Sequence, residues 1–515
     1  MLQQGTIASK YTQLERSRQD ILDRAERAAK VTIPHICPPD WHTENSSLPD
    51  PYQGLGARAV NTLSAKIQLA LFPPNTAFFK VGLDELTRAS MDAGNGEELA
   101  EAKSLLALYE TIAVQKLEQT KIRSVSAMCL KHLIVTGNGC IRVDKKGGFK
   151  FYSLKHFVVE RDPEGNVLFG IIKEEVNPET LDEEAREAVL SRDQYNPRDR
   201  ATMETVDLYT CMTREDNKFK VWQEINDTVI PGSEGSYDLD APLFLFLRWT
   251  AVTNEHYGRG MVDEYYGDFK ALDDLSRDLL DASAAASKVI FLLDPNSFIN
   301  DRKLAEAKSG DILKGRRDDV STVGLDKLQD FQVTLERMRD IRQELVDAFL
   351  MHSSVQRNAE RVTAEEIRFM AQELEDALGG VYSILAQELQ MPLANRWLKI
   401  LTDQNLLPKL PREGVNLTIT TGLDALGRGH EISRIDGMLR QAGQLLGPEA
   451  IQQYVNPKAL LDRLAAGWGV PQADFINDEQ TVQQIQQQRA IQQMAQEAVP
   501  GMAQEAMKQQ GEDDG

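Results

Sequence analysis

Cysteine is scarce in this sequence of 515 residues: Cys37, Cys129, Cys140 and Cys211 are the whole supply. Four thiols with no CxxC spacing are too few for a disulfide framework in a chain of this length, and a reduced compartment is expected. Long apolar runs are missing too. The most apolar stretches, Leu69–Phe72 and Pro242–Leu247, fall far short of the ~20 residues that cross a bilayer, and the opening MLQQGTIASKYTQLERSRQD has no apolar core of leader length. A soluble protein without a membrane partner is expected. Positive charge is in deficit: 58 Lys and Arg stand against 79 Asp and Glu, for a net charge of −21. A protein that reads DNA conventionally needs a basic face to neutralise phosphates, and the total offers none.

Catalytic signatures are absent as well. There is no GxxxxGK[ST], no HExxH and no GxSxG, and Gly137-Asn-Gly139 and Gly258-Arg-Gly260 lack the spacing that cradles a pyrophosphate. The histidines, His35, His42, His132, His156, His256, His352 and His430, form no pair at ligand spacing. Asp273-Asp274 and Glu365-Glu366 are paired carboxylates, and each reads first as a solvated helix face or a cap. A metal-dependent nuclease there is the enzymatic alternative; otherwise the chain is expected to be no enzyme, with neither cofactor nor metal.

What the sequence does contain is mostly helix. Leu14, Ile21, Leu22 and Ala25 mark a helix over roughly 7–30, before a Pro-rich stretch from Pro34 to Pro51. Val60, Leu63, Ile67 and Leu71 predict a buried helix over 54–71, stopped by Pro73-Pro74. Two further helices are expected over 97–118 and 122–136. From Cys140 to Trp249 the period shifts to short strand-like runs, 141–143, 149–152, 167–172, 206–210, 219–221 and 243–249, separated by turn signals such as Pro163-Glu164-Gly165-Asn166. An antiparallel β-rich subdomain set among helices follows.

The second half turns helical again. Residues 261–288 align Val262, Tyr265, Phe269, Leu272 and Leu279, and residues 328–351 align Leu328, Phe331, Leu335, Met338, Ile341, Leu345 and Phe349. Between them, 289–327 shows little periodicity. Thr363-Ala-Glu-Glu366 has the form of a capping box in front of a long helix, in whose middle Gly379-Gly380 implies a kink or a close packing contact. The tail from Thr481 holds eleven glutamines in 35 residues; it reads equally as a self-associating helix or a frayed polar end. The two helices around the insert carry twelve acidic residues against six basic ones, a balance of −6. Such a face is ordinarily just solvated; lining a pore, it would repel phosphates and let DNA slide.

The strings GLGARAVNTLSAKIQLALFPP (54–74), ERDPEGNV (160–167), YGRGMVDEYYGDFKALDDL (257–275), VQRNAERVTAEEIRFMAQELEDALGGVYSILAQELQMPL (355–393) and TGLDALGRG (421–429) span nearly the whole chain in order. Through them the sequence resembles the portal, or head-to-tail connector, proteins of short-tailed, autographivirus-like bacteriophages. The resemblance implies an α+β, mainly helical portal fold assembled as a dodecameric ring at one capsid vertex of the virion, built in the cytoplasm of a host bacterium. It implies a wing over 1–260, with its β-rich part at about 140–250, a stem helix over 261–288, a clip over 289–327 and a second stem helix over 328–351. A tunnel loop would occupy 352–362, a long wing helix and return 363–419, a crown 420–480, and a tail or barrel helix 481–515. Arg357, Asn358 and Arg361 would face double-stranded DNA in the channel. Asp301, Arg302, Lys303, Arg316 and Arg317 would dock the large terminase subunit and the tail adaptor. Scaffolding, capsid and internal core proteins are the other implied partners. A tail or internal-core protein that oligomerises without passing DNA is the competing structural reading, and a ring with a duplex-wide hole separates the two.

Overall fold

The computed structural model describes residues 4–73, 78–83, 96–183, 186–187, 205–286, 290–295, 299, 301–312, 314, 316–323, 328–351, 376–408, 415–419, 437–442, 444 and 460–461. The chain divides into two compact units, Met1–Ala425 and Leu426–Gly515. In the second unit the described residues are helical; every other element belongs to the first.

The first helical region is two helices rather than the expected one, α1 (Ile7–Ser17) and α2 (Gln19–Lys30). The break falls at Arg18, which is 1% exposed. Its guanidinium donates to the carbonyls of Leu154, Lys155 and Phe157 and to the Tyr11 hydroxyl. A buried charge requires such acceptors, and turning the helix axis brings Arg18 to them. α3 (Leu55–Leu71) ends before the prolines as its sequence dictates, and it packs on α5 (Ile122–Thr136), which follows α4 (Gly96–Glu118).

Two antiparallel sheets make up the β-rich part. In the first, β10 (Phe244–Arg248) pairs with β2 (Asn138–Val143), and β2 with β3 (Phe149–Tyr152). Every residue of β10 is buried, which is why it reads as an unbroken apolar run and not as an alternation. The second sheet runs β4 (Phe157–Arg161), β5 (Val167–Val176), β6 (Val206–Glu215), β7 (Lys218–Ile225) and β8 (Thr228–Val229), with β9 (Gly235–Asp238) also on β7. β1 (Phe79–Leu83) and β13 (Val415–Ile419) pair antiparallel across more than 300 residues of chain.

After β10 comes one turn of helix, α6 (Met261–Glu264), then α7 (Tyr266–Ala286), so the expected helix over 261–288 is interrupted at Tyr265. The insert is more ordered than its sequence suggested: β11 (Ile290–Leu293) and β12 (Val320–Val323) form an antiparallel ribbon around α8 (Asp301–Glu306). α9 (Leu328–Ala348) returns alongside α7. Residues 376–385 are helical and pass through a π-helical turn, Ala386–Gln390, into α10 (Met391–Asp403). Pro392 explains that turn: it has no N–H to give Glu388, and its ring would strike the Glu388 carbonyl in a regular helix. Gly379 and Gly380 lie in the preceding helical stretch, and among the described residues a Cβ at either would meet nothing within 4 Å.

Candidate functional site

The antiparallel pair α7 and α9 is buried at one end and exposed along the rest. At its base, Phe269, Leu272, Ile341, Leu345 and Phe349 are buried in the main core. The Phe269 and Phe349 rings meet edge to face with centroids 5.3 Å apart, and Tyr265 meets Phe349 at 5.6 Å. Further along, apolar side chains stand in solvent: Leu280 is 58% and Val333 68% exposed. Burying a leucine or valine stabilises by about 1.5–3 kcal/mol, so covering both would favour association through this pair.

Both ends of the pair are fixed. Asp273 on α7 accepts from the backbone N–H of Tyr52 at 2.7 Å and of Gln53 at 3.3 Å, tying the end of the Pro-rich loop to the helix. Its neighbour Asp274 lies 3.8 Å from the Arg277 guanidinium. These carboxylates therefore have structural partners, and among the described residues no three His, Cys, Asp or Glu side chains converge as metal ligands. α9 ends in a Schellman motif: Met351 N–H donates to Val346 O and Leu350 N–H to Asp347 O, with Leu350 left-handed at φ 52°. A leucine there costs roughly 1–2 kcal/mol over the right-handed form. The Leu350 carbonyl in turn accepts from the ammonium of Lys66 at 2.7 Å, a lysine only 1% exposed in the middle of α3.

At the far end, Leu293 pairs with Val320, and the Asp294 N–H reaches Asp319 O at 3.0 Å. Of the expected docking residues, Arg302 and Lys303 are exposed on α8, with Arg302 3.6 Å from Glu306. Arg316 is exposed at the start of a single 3-10 turn, where its N–H donates to Asp319. Asp301 opens α8 and Arg317 opens the 3-10 turn. The expected tunnel-loop residues Arg357, Asn358 and Arg361 lie outside the described residues, as do the Thr363–Glu366 cap, the tail from Thr481 and most of 420–480. Among the described residues no helix is long and apolar enough to cross a membrane.

Residues 4–476 match the family of bacteriophage head to tail connecting proteins. The chain belongs to that family. It is 35% identical to the portal protein of Enterobacteria phage T3 over 94% of its own length and 90% of the relative's. The portal protein of Escherichia phage T7 matches at 34% over the same shares, and that of Pseudomonas phage phiKMV at 30% over 90% of this chain and 91% of the relative. A solved chain from the neck of an empty gene transfer agent particle aligns over 81% of this connector and 90% of its own length, at a TM-score of 0.34 and 10% identity, a likeness too distant to bear on the fold.

The strings that marked this connector turn out to hold its elements together. In ERDPEGNV, Asp162 accepts from the backbone of Asn166 and closes a tight turn. Arg161, the residue before it, donates to Gly165 O and Phe246 O and reaches Glu388 at 3.3 Å. Burial pushes that guanidinium down to about 10, against the pull of the Glu388 carboxylate. Arg248 approaches the same carboxylate with Nε and its own N–H, both at 2.8 Å. The π-helical turn thus delivers one acid to two arginines of the sheets. In YGRG, Gly258 exchanges two hydrogen bonds with the Asn138 side chain. A Cβ on Gly137 would lie 2.4 Å from the Arg259 carbonyl carbon, and Gly137 also has φ +76°, so only glycine fits at that crossing. Arg18, Lys66 and Glu388 carry no sequence signal for these roles, save that Glu388 stands four residues before a proline.

Proposed function

We propose that twelve copies of this chain form the portal ring at one capsid vertex, through which double-stranded DNA is packaged and later ejected. The observation that carries this reading is the relationship to phage portal proteins along almost the entire chain. The α7–α9 pair supplies the stem, the ribbon β11–β12 with α8 the clip, and the elements before α6 together with α10 the wing. The work is mechanical. A stem with a surplus of acidic side chains adheres weakly to phosphates, so DNA moves through it without being held. A separate ATP-driven terminase pushes from the clip, a division of labour that suits a chain without a phosphate-binding loop, and the tail adaptor later takes its place there.

Negative-stain images of the purified chain provide the test. Closed rings with a hole wide enough for duplex DNA are expected, formed without DNA or nucleotide. A chain that stays monomeric at micromolar concentration, or closed particles with no such hole, would overturn the reading in favour of a tail or core component.

A further inference from the structure

Outside its contact with α7, α9 carries a flank of one sign. Leu335, Arg339, Arg342 and Val346 follow each other at spacings of four, three and four, so they share one stripe of the helix. Arg339 and Arg342 are exposed, Leu335 is 38% exposed, and this stripe holds no acid. Among the described residues neither arginine makes an ion pair. α7 carries the opposite pattern: Asp274, Asp278 and Asp281, spaced four and three, form an acidic stripe, with Arg277 beside it and Lys270 one turn before it. Asp278 keeps 68% of its side chain exposed while lying 3.5 Å from that arginine.

The two stripes also lie at the same level along the helix pair. Phe269 and Phe349 are in contact and the helices run antiparallel, so equal counts from that pair give equal levels at 1.5 Å per residue. Arg342 is then level with Ser276 and Arg339 with Leu279, both within the span from Asp274 to Asp281. Rotation about a ring axis that runs along the pair moves a neighbouring copy sideways without shifting that level, and it joins different faces of the two copies. From this we infer that Arg339 and Arg342 of one copy dock on Asp274, Asp278 and Asp281 of the next. Leu335, exposed on the basic stripe, is covered in the same contact. The occupant of the basic stripe is therefore a second copy of this chain, an inference that rests on the ring reading above.

Charge exchange tests it. R339E/R342E and D278R/D281R should each fold, by far-UV circular dichroism, yet remain near the monomer mass of 57.7 kDa in light scattering. Mixed in equal amounts, they should recover ring mass, because each supplies the stripe its neighbour lacks. Either variant assembling alone like wild type overturns the interface, and so does a mixture of folded variants that stays dispersed. Should the reversals fail to fold, R339Q/R342Q decides. Its half-assembly concentration should rise about tenfold at low ionic strength, with the gap closing near about 1 M salt, where charges are screened within a few ångströms. An unchanged half-assembly concentration overturns the proposal. Wild-type chain that never leaves 57.7 kDa would overturn the ring reading itself, whereas wild-type rings beside indifferent variants overturn only this interface.

Discussion

His132 is 8% exposed on α5, its ring 4.6 Å from that of Phe151 and its Nδ1 without a hydrogen-bond partner among the described residues. Burial, with smaller contributions from His35 and His156, pushes the imidazole down to about 4. A depressed histidine means that the unfolded chain binds the proton first, so stability falls as the pH drops from about 6.5 towards 4. Between pH 7 and pH 5 this one group should withdraw about 2 kcal/mol. His132→Phe keeps the stacking and removes the titration. Its urea midpoint should fall less between those two pH values than that of wild type at the same protein concentration, and an equal fall would show that the imidazole is not the acid-sensitive group. The same scale explains what residue patterns could not reveal. Arg18 and Lys66 sit in helical stretches where a cation ordinarily faces water, and only the tertiary structure brings buried carbonyls to them.

At the scale of elements, strongly periodic segments were legible and short ones were not. α5 and β3 have the bounds their sequences predict, and α3 and α4 lie within a residue of theirs. β1 and β13 went unread because each finds its partner at the other end of the chain. The ribbon β11–β12 was hidden for a related reason: its strands have four residues each and the excursion between them is charged. That ribbon allows a specific test. Asp294 and Asp319 already face each other across its end, so residues 295–318 can be replaced by Asn-Gly, the two-residue turn suited to a hairpin. The shortened chain should still form rings of wild-type symmetry, since α7 and α9 are untouched. It should lose pull-down of the large terminase subunit, because Arg302, Lys303 and Arg316 leave with the excursion. Normal terminase binding by such rings would move the docking surface elsewhere.

On the scale of the whole molecule, the proposed channel asks a chain with a net charge of −21 to let a polyanion pass yet hold it afterwards. In that proposal the balance of −6 per copy in the two stem helices serves passage, and retention needs cations somewhere along the path. The fold fixes where the chain leaves the stem: Leu350 is locked in its left-handed turn and pinned by Lys66, and the next residues in sequence lead to Arg357 and Arg361. Two arginines would give weak phosphate contacts in one copy, but the proposed ring sets every copy at the same level, so their contacts would add around the duplex. Phosphate contacts carry no base information. Arg357→Ala combined with Arg361→Ala should therefore leave ring assembly and thermal unfolding as in wild type, while packaged DNA slips back. The loss should be equal for genomes of different sequence and should grow with ionic strength in the wild type until it matches the mutant. In a packaging assay that scores nuclease-protected length, wild-type retention by the double mutant would remove these arginines from the DNA path and leave the acidic stem as the channel's main electrostatic feature.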